Sequence, residues 1–150
     1  MKTIISCVAV GAFLFLSGCA TPPKTHQFDK ARTFNKSFEK AWQNTIQFFT
    51  SNSIPIKTIE KSSGVIYAEK LNGSAEEADT FADCGVPGIA LVISTKISLN
   101  VFLQKVGPNQ SKATINTLFT QVREFDRRRH EVSCNSRGTL EQRLLTALSS

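Results

Sequence analysis

The chain has 150 residues, with 18 Lys and Arg against 12 Asp and Glu, four Cys and 41% hydrophobic residues. This length corresponds to one domain, since domains usually contain roughly 100–150 residues, and it excludes a long solenoid or a polytopic membrane protein. The apolar fraction is too high for a disordered chain.

The first 18 residues have the features of a secretory signal peptide. Lys2 supplies a positive charge, and residues 3–16 are almost wholly apolar and uncharged. This run is shorter than the roughly 20 residues of a membrane-spanning helix, but it has the length of a signal-peptide core. We therefore exclude residues 1–18 from the predicted fold. The alternative is an ordinary secretory peptide followed by an incidental cysteine.

The residues Leu16-Ser17-Gly18-Cys19 resemble the lipobox of bacterial lipoproteins. This resemblance implies cleavage before Cys19 and acylation of that residue, palmitate included. Ala20 is not the Asp that commonly retains such proteins in the inner membrane, so the resemblance implies the outer membrane. Several acyl chains attach a protein almost permanently. The mature chain then has 132 residues and a formal charge of +5 in the periplasm, where anionic lipid or envelope proteins, but no nucleic acid, are candidate partners.

Two of the four cysteines remain for the folded domain. Cys7 leaves with the signal peptide and Cys19 takes lipid, which leaves Cys84 and Cys134 in an oxidising compartment. Two cysteines allow a single intrachain pairing, so we predict a Cys84–Cys134 disulfide. The alternatives are a metal-binding pair or a catalytic thiol, but the chain has no C-x-x-C motif. Two histidines are available to complete a metal site, His26 and His130. We predict no metal and no cofactor.

The predicted elements begin after a short tether. Residues 19–27 form the lipidated cysteine and this tether, and residues 28–150 form a single domain. Residues 28–34 are a weak candidate for a first strand. A helix follows, with Ser37 as N-cap and apolar positions at the spacing of one helical face. These positions are Phe38, Ala41, Trp42, Thr45, Ile46 and Phe49. Phe48 falls outside the stripe, so we expect it to be half exposed.

Alternating apolar residues predict four strands. Residues 54–60 and 65–69 form a hairpin around Ser63-Gly64, and residues 70–88 form a long loop. Residues 89–106 are the clearest strand, since Leu91, Ile93, Thr95, Ile97, Leu99, Val101 and Leu103 occupy alternate positions, as in a strand with one solvated face. Residues 113–123 form their partner strand. Residues 124–137 are a charged connection, and a capping box of Thr139 and Gln142 begins a C-terminal helix with Leu140, Leu144, Ala147 and Leu148 on one face.

These elements predict a two-layer α+β domain in the order (β)-α-β-β-β-β-α. Its four- to five-stranded antiparallel sheet is packed by an N-terminal and a C-terminal helix. Cys134 lies just before the last helix, so a bond to Cys84 would join the entrance of that helix to the long loop.

The pattern resembles the helix-grip domains of BamC-like outer-membrane lipoproteins. The resemblance covers roughly residues 28–150 and rests on the lipobox, the Phe38…Trp42…Phe49 helix, the Ser63-Gly64 hairpin and the terminal Leu-rich helix. BamC is an accessory subunit of the machine that assembles outer-membrane β-barrels, with two such domains and a long segment that contacts a partner. This chain has one domain and a short tether. The resemblance therefore implies the fold and the compartment, and it assigns no functional residue.

The sequence predicts a non-enzymatic accessory or interaction module at the outer membrane. Its candidate contact surfaces are two charged segments, an acidic one and a basic one. The acidic residues are Glu76, Glu77 and Asp79, and the basic residues are Arg123, Arg127, Arg128 and Arg129. Ordinary solvated charge is the alternative for both. A second hypothesis is a binding module that holds a lipid or another apolar ligand in a helix-grip groove.

An enzyme is the third hypothesis. His130 has Glu131 and Ser133 as neighbours in the sequence, but proximity in sequence does not establish a catalytic triad. The chain contains no G-x-S-x-G, no H-E-x-x-H and no Gly-rich phosphate loop, motifs that would indicate specific chemistry. We therefore predict no catalytic residues.

Overall fold

The computed structural model describes residues 21–72 and 75–150, without the side chains of residues 72 and 75–77. The described residues form seven strands and three helices. In chain order these are β1 (Ala31–Phe34), α1 (Phe38–Ser51), β2 (Ile56–Glu60), β3 (Val65–Asn72), α2 (Ala75–Phe81), β4 (Ala82–Asp83), β5 (Leu91–Gly107), β6 (Gln110–Phe125), β7 (Arg128–Ser136) and α3 (Thr139–Ser149). The predicted signal peptide and Cys19 lie outside the described residues.

The sheet is antiparallel and is built around the long β5–β6 hairpin. Its strand order is β2-β3-β5-β6-β7-β4, and β1 pairs separately with β6. Because β5 occupies one edge of β6, β1 and β7 share the other edge, opposite residues 111–114 and 119–125 respectively. The predicted α+β class is therefore confirmed, with a sheet of more strands than the sequence indicated.

Helices α1 and α3 cover one face of the sheet and enclose the core. Ser37 caps α1 as predicted, since its side chain accepts a hydrogen bond from the Lys40 amide (3.4 Å). Alternate residues of β5 and β6 face the helices because side chains along a strand point to opposite faces in turn. The fully buried large residues include Phe49, Leu99, Leu103, Ile115, Phe119, Leu144, Leu145 and Leu148. Phe48, expected to be half exposed, is buried.

The main difference from the predicted order lies in the charged connection. Residues 128–136 form strand β7, which pairs with β6 through a tight turn at Asp126 and Arg127. Both turn residues have positive φ, 49° and 59°, as in a type I′ hairpin. The loop predicted at residues 70–88 also contains α2 and the short strand β4, which pairs with the end of β7.

The predicted capping box of α3 does not form. Gly138 is the N-cap residue, and no side chain caps this end of the helix. The side-chain amide of Gln142 instead donates to the carbonyl oxygen of Asp29 (2.8 Å), and its oxygen accepts from Arg32 (3.1 Å). Gln142 therefore ties α3 to the chain around the start of β1.

Candidate functional site

The Cys84–Cys134 disulfide fixes a loop against strand β7. The two sulfur atoms are 2.03 Å apart and both side chains are buried. Cys84 follows β4 directly, and Cys134 lies in β7 opposite Phe119. The predicted pairing is confirmed, and it removes both thiols as metal ligands or nucleophiles. Residues 84–90, between β4 and β5, are called the disulfide loop below.

Arg123 holds the disulfide loop from inside the domain. Its guanidinium donates hydrogen bonds to the carbonyl oxygens of Cys84 and Gly85 and to the side-chain oxygen of Gln121 (2.6 Å). Burial lowers the pKa of Arg123, although arginine stays protonated in proteins. The residue is 6% exposed, because it lies with Gln121 on the buried face of β6. Arg123 therefore does not belong to the exposed basic surface predicted from the sequence.

The first described residues of the chain lie along this loop. Residues 21–27, here called the N-terminal segment, coincide with most of the predicted tether. The Val86 amide donates to the carbonyl oxygen of Thr21 (3.0 Å), and the Asn135 side chain donates to that of Pro23 (3.3 Å). Gly85 has φ +67°, and a Cβ there would collide with the backbone of Thr21 and Pro22. A glycine is thus required where the segment crosses the loop.

The Asp83 carboxylate links the N-terminal segment to the disulfide loop. It accepts hydrogen bonds from the backbone amides of Gly85 (2.8 Å) and Lys24. The pKa of Asp83 lies below its ordinary value, first because of the hydrogen bond from Gly85. The hydrogen bond from Lys24 and the nearby Arg137 guanidinium (3.9 Å) lower it further. His26 Nε2 lies 3.6 Å from the carboxylate, at ion-pair rather than hydrogen-bond distance.

The structure separates the two charged surfaces predicted from the sequence. Arg127, Arg128 and Arg129 are exposed at the start of β7, and Arg129 donates to Glu124 at 2.8 Å. Asp79 is exposed in α2. The strand after this helix, β4, pairs with the far end of β7. The nine residues of β7 span about 25 Å, so the acidic and basic groups do not form one site. The side chains of Glu76 and Glu77 lie outside the described residues.

The structure does not bring together His130, Glu131 and Ser133, the residues of the enzyme hypothesis. His130 pairs with Arg123 and shares its face of the sheet, whereas Glu131 and Ser133 point to the other face because strand side chains alternate. In the part of the chain that the structure describes, no three His, Cys, Asp or Glu side chains are placed to hold a metal ion.

A cleft lies between the helices and β5, where the groove of a helix-grip domain is expected. Its volume is about 160 Å³, below the roughly 300–1,000 Å³ of ordinary ligand pockets. The Arg143 guanidinium stacks over the Phe81 ring at 5.1 Å on its wall. The other lining residues are Asn52, Ile54, Lys70, Ile97, Leu99 and Leu140.

Several residues that shape the site were missed by the sequence analysis. The triplet Asp83-Cys84-Gly85 carries a local signal, because an aspartate often accepts a hydrogen bond from the amide two residues later. Glu141 carries none: its fully buried carboxylate accepts hydrogen bonds from the hydroxyls of Thr117 and Ser136. These contacts join α3 to the end of β7, five residues earlier in the chain, and to Thr117 of β6, 24 residues earlier.

The chain matches no protein-family model, and a search of the curated proteins finds no significant match. Among the described residues, no helix is long and apolar enough to cross a membrane.

Proposed function

We propose that this protein is a bacterial lipoprotein, acylated at Cys19 and anchored in the outer membrane with its domain in the periplasm. The disulfide carries the proposal, because such bonds persist in oxidising compartments and are rare in the cytosol. With Cys84 and Cys134 paired, cleavage before Cys19 leaves that residue as the single free thiol of the mature chain. The lipobox residues before it supply the processing signal.

Within this compartment, we propose a non-enzymatic accessory or interaction module that takes part in envelope biogenesis. The layered arrangement of α1 and α3 on an antiparallel sheet supports a BamC-like helix-grip domain. The separation of His130 from Glu131 and Ser133 weakens the one catalytic grouping that the sequence offered. The proposal names no partner protein, because the charged surfaces alone do not specify one.

Metabolic labelling with a palmitate analogue tests the anchor. The full chain is expressed in a Gram-negative host beside Cys19→Ala and the matched control Cys7→Ala. We expect label on the wild type and on Cys7→Ala, both in the outer-membrane fraction. Cys19→Ala should stay unlabelled and keep its 18 N-terminal residues. Normal processing of Cys19→Ala, or label on all three proteins, refutes the anchor. Crosslinking in intact outer membranes then tests the interaction role, which predicts a reproducible protein or lipid adduct.

The binding of a small apolar ligand in the α1–α3–β5 cleft is the alternative proposal. Its apolar lining and the nearby Lys70 and Arg143 suit a short acyl chain with an anionic head. The cleft volume is small for a complete lipid, so this function needs a cleft that widens. Native mass spectrometry of the purified protein tests the alternative, because a bound ligand adds a discrete mass that Leu140→Trp should abolish.

A further inference from the structure

The start of the described chain brings the proposed anchor to one end of the sheet. Thr21 is hydrogen-bonded to Val86 in the disulfide loop, and Cys19 precedes it by two residues. Two residues span at most about 7 Å. The acyl chains of a lipidated Cys19 would therefore enter the bilayer close to this loop, wherever the rest of the domain lies.

The disulfide loop and the start of β5 expose an unusual amount of apolar surface. Val86 is 52% exposed, Ile89 80% and Leu91 67%. Half of the ten exposed large apolar side chains found among the described residues lie at this end of the sheet: Val86, Ile89, Leu91, Ile93 and Phe125. Clusters of this kind usually mark a surface that contacts another molecule or a membrane.

A basic turn lies at the same end. Leu91 pairs with Glu124, and the β6–β7 turn begins at the next residue, Phe125. Arg127 and Arg128 are exposed in and after this turn, and neither forms an ion pair with another described residue. Arg127 also has positive φ, a conformation in which glycine is the ordinary residue. The turn thus presents free positive charge beside the apolar loop.

We propose that the disulfide loop and the β6–β7 turn form a membrane-contacting surface beside the lipid anchor. Ile89 and Leu91 enter the interface of the bilayer, and Arg127 and Arg128 bind anionic headgroups. The proposal rests on the proposed lipid anchor. A bilayer, rather than a partner protein, is the occupant because Cys19 is only two residues from Thr21, which is hydrogen-bonded to the loop. Apolar side chains with adjacent Arg or Lys are the usual combination for interfacial binding.

This surface fixes the orientation of the domain. Strand β5 runs from Leu91 to Gly107 and spans about 50 Å. The opposite end of the sheet, including Val106 and the β5–β6 turn, would then face the periplasm, away from the anchoring leaflet. Val106 is 49% exposed, much like Val86, so it is a matched control position for the opposite end.

Tryptophan fluorescence in vesicles tests the surface on the full, lipidated protein. Ile89→Trp and Val106→Trp are reconstituted in phosphatidylethanolamine–phosphatidylglycerol vesicles that carry brominated acyl chains. The wild type serves as the blank, since Trp42 is buried in α1. We expect a blue shift and quenching for Ile89→Trp, with Val106→Trp unshifted and unquenched. Leu91→Trp is a second reporter at the membrane end in case Ile89→Trp does not fold.

Flotation with the vesicles separates the two proposals. Wild-type protein that carries no acyl chain and does not float overturns both the anchor and this surface. Protein that floats while both membrane-end reporters stay unquenched overturns the surface alone, as expected if the loop binds a protein instead. Equal quenching at Ile89→Trp and Val106→Trp also overturns it, because the domain would then have no preferred end at the bilayer.

Discussion

Replacing Cys84 and Cys134 together with alanine opens the covalent loop that the disulfide closes. The two residues are 50 positions apart. In the chain-entropy account, closing a loop of this length stabilises the folded state by about 4 kcal/mol. For a domain of this size, that loss lowers Tm by about 15 °C. The double variant should fold at room temperature but unfold well below the wild type.

Urea unfolding of oxidised residues 20–150 measures this difference. The free energy of unfolding of the double variant is compared with that of the wild type and of the wild type reduced by a thiol. The two forms without the bond should agree within about 1 kcal/mol, because they differ only by two buried sulfur atoms. If the free energy of unfolding fell by less than about 1 kcal/mol in both the double variant and the reduced wild type, the reasoning would be refuted. The loop would then be constrained already in the unfolded chain.

Four further predictions concern the contacts around the disulfide loop. Arg123→Met leaves the carbonyls of the loop unpaired, so urea unfolding should show a loss of about 1–3 kcal/mol; a neutral result contradicts the role of the guanidinium. Gly85→Ala should release the N-terminal segment and speed its hydrogen exchange. Gly88→Ala, with a similar φ of +63° and open space around it, should not. Arg127→Gly should stabilise the domain by about 1 kcal/mol in the same assay, because it relieves a positive φ. Asp83 has a lowered pKa, so its charge stabilises the fold above the ordinary aspartate range and is lost as pH falls through the lowered value. The stability difference from Asp83→Asn should be constant near neutral pH and shrink below about pH 4.

Local signals account for the elements that the sequence predicted well. Helix α1 has a periodic apolar stripe and a capping Ser37, and both depend on residues within one helix. Strand β5 has 17 residues, and its apolar alternation from Leu91 to Leu103 is long enough to outweigh a competing pattern. The disulfide followed from elimination, because the predicted signal peptide and the predicted lipobox accounted for the other two cysteines.

Strand β7 shows where local pattern fails. Its first residues, Arg128, Arg129 and His130, suggest a solvated connection, yet they pair with β6 along their whole length. Charged side chains suit an exposed edge, where they also discourage pairing with another chain. The preceding turn contains no glycine, so the usual hairpin signal is missing. Pairing with a long neighbouring strand therefore decided the structure here, as it often does for strands.

The position of the N-terminal segment could not be predicted from the sequence either. Its Pro22-Pro23 pair predicts an extended backbone, and the structure forms no helix or strand there, but nothing in residues 21–27 indicates what they contact. The segment makes these hydrogen bonds through its own main-chain groups, the carbonyls of Thr21 and Pro23 and the amide of Lys24, and its path depends on the absence of a Cβ at Gly85. Because main-chain groups are common to nearly all residues, their partners emerge only from the folded structure.

The interactions that hold the disulfide loop bear on the membrane-contacting surface proposed for it. The loop contains no helix or strand, yet a disulfide, the Arg123 guanidinium and the Asp83 carboxylate all fix it. A loop with exposed Val86 and Ile89 would otherwise tend to collapse onto the domain and hide its apolar groups. Holding it in place keeps those groups outward and reduces the conformational entropy lost on binding. The disulfide thus stabilises the fold and pre-organises the surface, so removing it should weaken insertion of Ile89→Trp even where the domain remains folded.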